Sequence, residues 1–274
     1  TLGELVREII QLTGATLEHP LWLFLDEVVY ADRWDLWLKT FYDEQWPVRI
    51  AASSSSTAAL RARRQESGIG RWEEQFLAPC LLDEYLDLID VTAEFEVEPT
   101  LADTIEGIVE QPPSLPRELA HHLSRVMMAG GFPELLLRSC DELLDDTSIV
   151  LESQRTLRND AIERAVYKDI PQAFNIGSPM QLERLLYTLA GQVSSIVSPN
   201  SIGRSLDMSG ATIDRYIMYL ERAFLITLLP NYAGSEETVQ RRGRKLYFID
   251  GAVRNAALQR GLAFLNDPAE LGLL

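Results

Sequence analysis

Two adjacent carboxylates, Asp26 and Glu27, follow directly after the apolar run Leu-Trp-Leu-Phe-Leu at residues 21–25. A continuous apolar run of this length predicts a buried strand of a parallel sheet that is covered on both faces. The carboxyl end of such a strand lies at the sheet edge where open α/β folds bind ligands. Phosphoryl transfer needs one carboxylate that holds the waters around Mg²⁺ and a second that orients the attacking water. Asp26 suits the first role and Glu27 the second; the alternative is an exposed strand end with two solvated acids.

Serine hydroxyls occupy the equivalent place after the next predicted strand, Val-Arg-Ile-Ala-Ala at residues 48–52. A polar side chain at the tip of a neighbouring strand can contact the γ-phosphate of a nucleotide. Ser54 and Ser55 are the candidates for this nucleotide-binding role. An ordinary serine-rich turn would be equally polar and is the alternative interpretation.

Arg71 follows a flexible Gly-Ile-Gly at residues 68–70 and is the candidate for a second catalytic residue. A guanidinium on a glycine-rich loop can reach a phosphate bound to its own subunit or to a neighbour. The alternative is a surface ion pair with Glu73 or Glu74.

The spacing of apolar residues predicts the elements that position these side chains. One helical period runs through residues 2–12 and ends at Gly14, and another runs through residues 33–44 between the two strands. A further helix after Ser56 and a third strand at residues 72–77 continue the alternation. Alternating strands and helices are typical of a parallel α/β sheet.

The remainder of the chain has a different pattern. Three prolines between residues 112 and 116 mark a boundary, and helical periods follow until about residue 173. Three helices come next, and the last of them carries an apolar stripe at Ile213, Ile217 and Leu220. Two strands then follow, and this order of elements predicts a winged helix-turn-helix.

The predicted winged helix is relatively basic within an acidic chain. The net charge of −16 argues against nucleic-acid binding by the whole surface, yet residues 198–245 contain seven basic and five acidic residues. The candidate DNA contacts lie at the start of the recognition helix and in the wing: Ser209, Thr212, Arg215, Arg241, Arg242 and Arg244. Asp207 and Asp214 flank the helix start and would repel phosphates. Winged helices also dock proteins, so a DNA partner and a protein partner both stay open.

Composition narrows the class of protein. No apolar run approaches the roughly 18 residues that span a membrane, and the N-terminus has no signal-peptide pattern. Two cysteines, Cys80 and Cys140, and three histidines imply neither a disulfide framework nor a Cys/His metal cluster. These features predict a soluble, cytoplasmic protein with no membrane partner.

Several short motifs occur in an order that is typical of one family. They are Asp26-Glu27, the serines after Ala52, Gly70-Arg71, Gly-Gly-Phe-Pro-Glu at residues 130–134, Tyr-Lys-Asp-Ile at 167–170 and Lys-Leu-Tyr-Phe-Ile-Asp-Gly-Ala at 245–252. With them the chain resembles, over nearly its whole length, prokaryotic AAA-type P-loop ATPases that carry a C-terminal domain of uncharacterised function. The resemblance implies an α/β fold in three parts. These are a partial AAA-type parallel sheet with flanking helices at residues 1–110, a helical lid or linker at 111–178, and the winged helix-turn-helix with the start of a C-terminal region at 179–274. It also implies ATP and Mg²⁺ as ligands of the intact protein, and it leaves an oligomer open.

Two departures from that family bear on the expected activity. No G-x-x-x-x-G-K-[ST] motif occurs in it, so the backbone cradle and the lysine for the β- and γ-phosphates are missing. The nuclease-like domain that usually follows the winged helix is also missing. We therefore expect the intact protein to hydrolyse ATP to ADP and phosphate, and the 274-residue chain alone to be inactive. The alternative is a non-catalytic DNA-binding or protein-docking scaffold built on a degenerate ATPase core.

Overall fold

A computed structural model describes residues 1–54, 70–91, 99–110, 119–137, 147–232, 235, 243–262, 265 and 267–271. In this part of the chain the protein is an α/β protein, mostly helical, with two small sheets. The strands are β1 (Leu21–Leu25), β2 (Val48–Ala52), β3 (Ile226–Leu229) and β4 (Lys245–Phe248). The α-helices are α1 (Leu2–Thr13), α2 (Trp34–Asp43), α3 (Leu82–Leu88), α4 (Leu101–Glu110), α5 (Leu119–Ala129), α6 (Pro133–Leu137), α7 (Thr147–Leu157), α8 (Ile170–Phe174), α9 (Pro179–Ala190), α10 (Pro199–Leu206), α11 (Gly210–Arg222), α12 (Gly251–Leu258) and α13 (Pro268–Leu271).

The chain divides into two compact units, each built from three segments. The first unit comprises residues 1–77, 163–185 and 198–226, and the second comprises residues 78–162, 186–197 and 227–274. The three-part division predicted from the sequence stays a prediction, as does the role of the helical region as a lid.

The sheet of the first unit confirms the two predicted strands. β1 and β2 pair in parallel, with Leu21 opposite Val48 and Leu25 opposite Ala52. The expected continuous burial of β1 is wrong, because burial alternates along the strand and Phe24 is 79% exposed. Side chains of a strand point to opposite faces in turn, and no described residue covers the outer face of this two-stranded sheet. The Arg49 guanidinium packs there over the ring of Trp22.

Helix α1 begins and ends at signals that the sequence carries. The Thr1 Oγ1 accepts a hydrogen bond from Glu4 N at 3.3 Å, and the Glu4 carboxylate accepts one from the chain's first nitrogen at 2.8 Å. This reciprocal arrangement satisfies donors that a helix start leaves unpaired. Gly14 ends the helix in the left-handed region, at φ 67°.

A small core lies directly after the Asp-Glu pair in the first unit. A 3₁₀ turn at Val28–Tyr30 follows Glu27, and the buried side chains of Val28, Val29 and Trp34 form a cluster. Ala173 of α8 packs against this cluster. The residues after the predicted site are therefore fixed by hydrophobic burial.

The third predicted strand is wrong. Residues 72–81 form no strand in the described chain. Phe76 instead stacks its ring on that of Phe224, with centroids 3.9 Å apart. A side-chain stack of this kind satisfies the apolar residues without a backbone ladder.

The second unit has its own helical core and sheet. Helices α5, α7 and α12 pack against one another. β3 and β4, the two strands predicted for the last third of the chain, share one sheet. The buried Arg254 of α12 donates from Nε to the carbonyl of Ala190 at 2.9 Å and pairs with Glu270 at 3.0 Å.

Candidate functional site

The carboxyl ends of β1 and β2 bring Asp26 beside Ser53. Ser53 N donates to the carbonyl of Leu25 at 2.8 Å, and Val28 N donates to the carbonyl of Ser53 at 3.0 Å. These bonds continue the parallel pairing for one step beyond both strands. The Ser53 hydroxyl donates to Asp26 Oδ1, which also accepts from Glu27 N at 3.0 Å. The Asp26 carboxylate is thus oriented by the neighbouring strand end.

Ser53 is a site residue that the sequence reasoning missed. Ser54, the predicted phosphate contact, is the next residue and is half-buried, and Ser55 lies outside the described residues. The missed signal is positional: in a parallel pair with Leu25 opposite Ala52, the residues that follow, Asp26 and Ser53, must meet.

Glu27 occupies an unusual backbone conformation at the end of β1. Its φ of 51° is left-handed, which a non-glycine residue adopts at an energetic cost, and it turns the chain into the Val28–Tyr30 turn. Its Oε1 accepts a hydrogen bond from Arg164 Nη2 at 3.0 Å. Both side chains keep some exposure, 26% for Glu27 and 41% for Arg164. The pair is therefore accessible to water and to ligands.

Arg164 lies between two carboxylates. Its Nε is 3.8 Å from Asp169 Oδ2, an ion-pair distance that is too long for a hydrogen bond. Asp169 is buried, and its Oδ1 has no hydrogen-bond partner among the described residues. Burial raises the pKa of the Asp169 carboxyl above its ordinary value, against the opposing charges of Arg164 and Lys168, while the charge of Glu27 raises it further. Neither Arg164 nor Asp169 was a predicted site residue.

Arg71 makes a two-bond ion pair. Its Nε and Nη2 donate to Asp43 Oδ1 and Oδ2 of α2, at 2.9 and 3.2 Å. The hydrogen bonds from Arg71 are the main reason why the pKa of Asp43 is lowered. Any catalytic use of Arg71 would require the guanidinium to leave this carboxylate.

The predicted recognition helix begins where the sequence indicates. A short turn joins α10 to α11, and Met208 N donates to the carbonyl of Gly203 at 2.8 Å. A side chain at Gly203 would collide with the carbonyl of Met208, so only glycine fits there. The predicted apolar stripe of α11 is confirmed, since its three residues are buried.

The candidate DNA contacts are placed as follows. Ser209 caps α11, accepting from Thr212 N at 3.1 Å, and the two hydroxyls are 2.8 Å apart. Arg215 is exposed on α11, and Arg244 is exposed beside β4 in the other unit. Arg241 and Arg242 lie outside the described residues. The capping bonds show that Ser209 and Thr212 have a structural role, whatever else they contact.

A second carboxylate, that of Asp250, joins two of the sequence motifs in the second unit. Asp250 Oδ2 accepts from Gly131 N and Oδ1 accepts from Ala252 N, both at 2.7 Å. The carbonyl of Gly131 accepts from Cys80 N at 2.7 Å. Burial raises the pKa of the Asp250 carboxyl, although the hydrogen bonds from Gly131 and then from α12 oppose the shift. We call these residues the Asp250 junction; sequence reasoning missed them because the motifs are over a hundred residues apart.

The donor set at the strand ends suits a hydrated magnesium ion. Among the described residues no group of three or more His, Cys, Asp or Glu side chains could hold a metal by protein ligands alone. Mg²⁺ commonly keeps several waters and takes one or two carboxylates together with substrate phosphates. Asp26 with the adjacent hydroxyl of Ser53 fits that mode. Within the described ranges, no helix has the length and apolarity to cross a membrane.

Two family models match separate parts of the chain. The family model of a domain of unknown function (DUF8612) matches residues 120–262, more than half of the chain. The chain belongs to that family. The family model of an AAA domain matches residues 2–86, which contain Asp26, Glu27 and Ser53. This match supports an AAA-type, nucleotide-binding ATPase-like fold for that segment.

Relatives of the chain are themselves uncharacterised. It is 26% identical to the uncharacterized protein MJ1544 of Methanocaldococcus jannaschii over 84% of this chain and 47% of the relative. It is 24% identical to MJ1637 of the same organism, over 93% of this chain and 52% of the relative. An uncharacterized protein of Haemophilus influenzae is 21% identical over 95% and 58%. The chain thus spans about half the length of the curated relatives it matches. No solved structure matches it significantly.

Proposed function

We propose that the chain is the part of an AAA-type ATPase that carries the acidic half of the catalytic site and a winged helix. The observation that carries the proposal is the meeting of Asp26 and Ser53 at the carboxyl ends of two parallel strands, inside the segment matched by an AAA domain. Parallel sheets of this type bind nucleotides at that edge.

The proposed roles follow from the geometry of the strand ends. Asp26, oriented by Ser53, holds the water shell of Mg²⁺ in the manner of a Walker B aspartate. A bound Mg²⁺ supplies charge neutralisation of the transferred phosphoryl group. Glu27 orients the attacking water and accepts its proton, while Ser54 and Ser55 contact the γ-phosphate. Arg71, once free of Asp43, provides positive charge to the phosphates.

The phosphate-gripping half of the site must come from other residues of the intact protein. The 274-residue sequence has no G-x-x-x-x-G-K-[ST] motif, and the curated relatives are about twice as long as the matched region. We propose that a longer polypeptide completes the site, and that the winged helix-turn-helix predicted for residues 179–274 is the module to which ATP binding or hydrolysis is coupled.

The decisive experiment measures Mg²⁺-dependent ATP hydrolysis by the intact protein. Replacing Glu27 by Gln should lower the turnover rate about a hundredfold or more, because a general base contributes that much, while ATP still binds. Glu18→Gln, at an exposed residue before β1, is the matched control and should leave turnover unchanged. An unchanged rate in Glu27→Gln would refute the assignment of Glu27.

A non-catalytic scaffold is the second candidate, favoured by the missing phosphate-binding motif. The two candidates share the winged helix, whose partner can be DNA or protein. Titration of labelled duplex DNA at two salt concentrations tests the partner, since phosphate contacts make affinity fall steeply with salt. Arg215→Ala should weaken binding at low salt if DNA is the partner. No binding at either salt concentration would favour protein docking.

A further inference from the structure

Arg164 connects the strand-end carboxylates with the predicted recognition helix. We infer that Arg164 is a positioning residue for Glu27, and that the segment from Ala165 to Phe174 transmits the position of this carboxylate to α11. The inference rests on the proposed function for the catalytic role of Glu27. The linkage itself lies within the first unit and exists without any nucleotide.

In the first link, the Arg164 guanidinium lies near two carboxylates, those of Glu27 and Asp169. Its Nη2 donates to Glu27 Oε1 at 3.0 Å, while its Nε stays 3.8 Å from Asp169 Oδ2. Asp169 is buried, and its Oδ1 accepts no hydrogen bond from any described residue. A new hydrogen bond from the nearby Arg164 guanidinium to this carboxylate would therefore be favourable. A small shift of the guanidinium toward Asp169 would release Glu27. The orientation of Glu27 is therefore tied to the helical segment that carries both Arg164 and Asp169.

The second link is the packing of the segment from Ala165 to Phe174 against the residues that follow Glu27. Ala165–Asp169 is π-helical and runs directly into α8. π-Helical turns are rare in proteins and are frequent at functional sites. The Lys168 ammonium lies 5.8 Å from the centroid of the Tyr30 ring, and Ala173 packs against the Val28–Trp34 cluster. A movement at the end of β1 therefore reaches the segment through packed side chains.

The third link is an aromatic stack between α8 and α11. The rings of Phe174 and Tyr219 lie 4.0 Å apart between centroids and are nearly parallel, at 8°. Tyr219 is buried, and Arg222 places its guanidinium 5.9 Å from the Phe174 ring. A displacement of α8 must either carry α11 with it or break this stack. A chain of packed groups is evidence of coupling between two sites only when the coupling itself is measured.

The test is hydrogen exchange, read by mass spectrometry, on the 274-residue chain without nucleotide or DNA. Arg164→Ala should make exchange about two- to fivefold faster in α8 and α11, the range expected for loss of a partly exposed ion pair. Exchange in α1 and α2 should stay unchanged. Arg164→Lys keeps the positive charge and should restore most of the protection in α11.

A matched control separates linkage from general loosening. Asp43→Asn breaks the ion pair with Arg71 in the same unit and should leave α11 unaffected. Phe174→Leu keeps an apolar side chain but removes the stack on Tyr219. In that background Arg164→Ala should still speed exchange at residues 165–169 but add nothing in α11.

Two results would overturn the inference. One is unchanged exchange in α11, or equal acceleration throughout the first unit, when Arg164 becomes Ala. The other is an effect of Arg164→Ala on α11 that persists in the Phe174→Leu background. Since the measurement uses no nucleotide, these outcomes are distinct from failure of the proposed ATPase activity, which the turnover of the intact protein tests.

Discussion

The carboxylates of Glu27 and Asp250 each lie where distant segments of the chain meet, but they accept hydrogen bonds from different kinds of donor. Both oxygens of Asp250 accept from backbone N–H groups at 2.7 Å, and one of these comes from Gly131. Glu27 Oε1 accepts from the side chain of Arg164, and the pair keeps contact with water. Backbone donors cannot move without local unfolding, whereas a guanidinium on a flexible stem can. The comparison separates a carboxylate that is held by backbone donors from one that is held by a partly exposed side chain.

The largest effect on stability is expected when the Asp250 carboxylate is removed. Asp250→Ala should lower the free energy of unfolding of the second unit by about 3 kcal/mol, because it loses a helix cap and leaves the buried Gly131 N–H unpaired. Asp267→Ala is the matched control: Asp267 accepts from Ala269 N at 2.9 Å but is exposed, so its loss should cost under about 1 kcal/mol.

Two optical signals separate the units in this measurement. All five tryptophans lie between residues 22 and 72, in the first unit. Tryptophan fluorescence therefore follows the first unit during urea unfolding, and far-UV circular dichroism follows both. A loss in Asp250→Ala no larger than in Asp267→Ala would contradict the structural role assigned to the junction.

The pH dependence of stability sharpens the same contrast. Because burial raises the pKa of Asp250 in the folded state above its ordinary value of 3.8, folding binds a proton there. Its contribution is present below the unfolded pKa and is lost as the pH rises through the folded pKa, with a slope of at most about 1.4 kcal/mol per pH unit. The difference in unfolding free energy between the wild type and Asp250→Asn should therefore fall with rising pH over this window. A difference that is flat or rises would show that the pKa is not raised.

The smallest effect is expected at Glu27. Glu27→Gln should change the unfolding free energy of the first unit by less than about 0.5 kcal/mol, because partly exposed ion pairs contribute little. Tryptophan fluorescence during urea unfolding measures it, with Glu18→Gln as the control. A loss above about 1 kcal/mol would place Glu27 with Asp250 as a structural carboxylate and weaken its proposed role in turnover.

Local pattern was enough to predict the elements that carry the site. The apolar runs at residues 21–25 and 48–52 form the two strands, and the spacing of Ile213, Ile217 and Leu220 forms the buried face of α11. Asp26 and Glu27 follow β1 as expected. These features depend on residues close in sequence, whose periodicity reports which face is buried.

Predictions failed where the outcome depended on what lies across from a residue. The apolar β1 exposes Phe24 because no described residue covers that face. Residues 72–77 have the composition of a strand, yet Phe76 finds an aromatic partner in Phe224. The residue pattern of β1 or of residues 72–77 does not show which other part of the chain packs against it.

By itself, the sequence determined the positions of β1 and β2, the place of the acidic pair after β1 and the start of α11, because these follow from side-chain period and capping chemistry. Only the tertiary structure decided that Ser53 orients Asp26, that Arg164 binds Glu27 and that Asp250 joins Gly131 to α12. Arg164 is 137 residues from Glu27, and Asp250 is 119 from Gly131. Hydrogen bonds between such distant groups form only after the packing of whole elements has placed donor and acceptor within about 3 Å of each other.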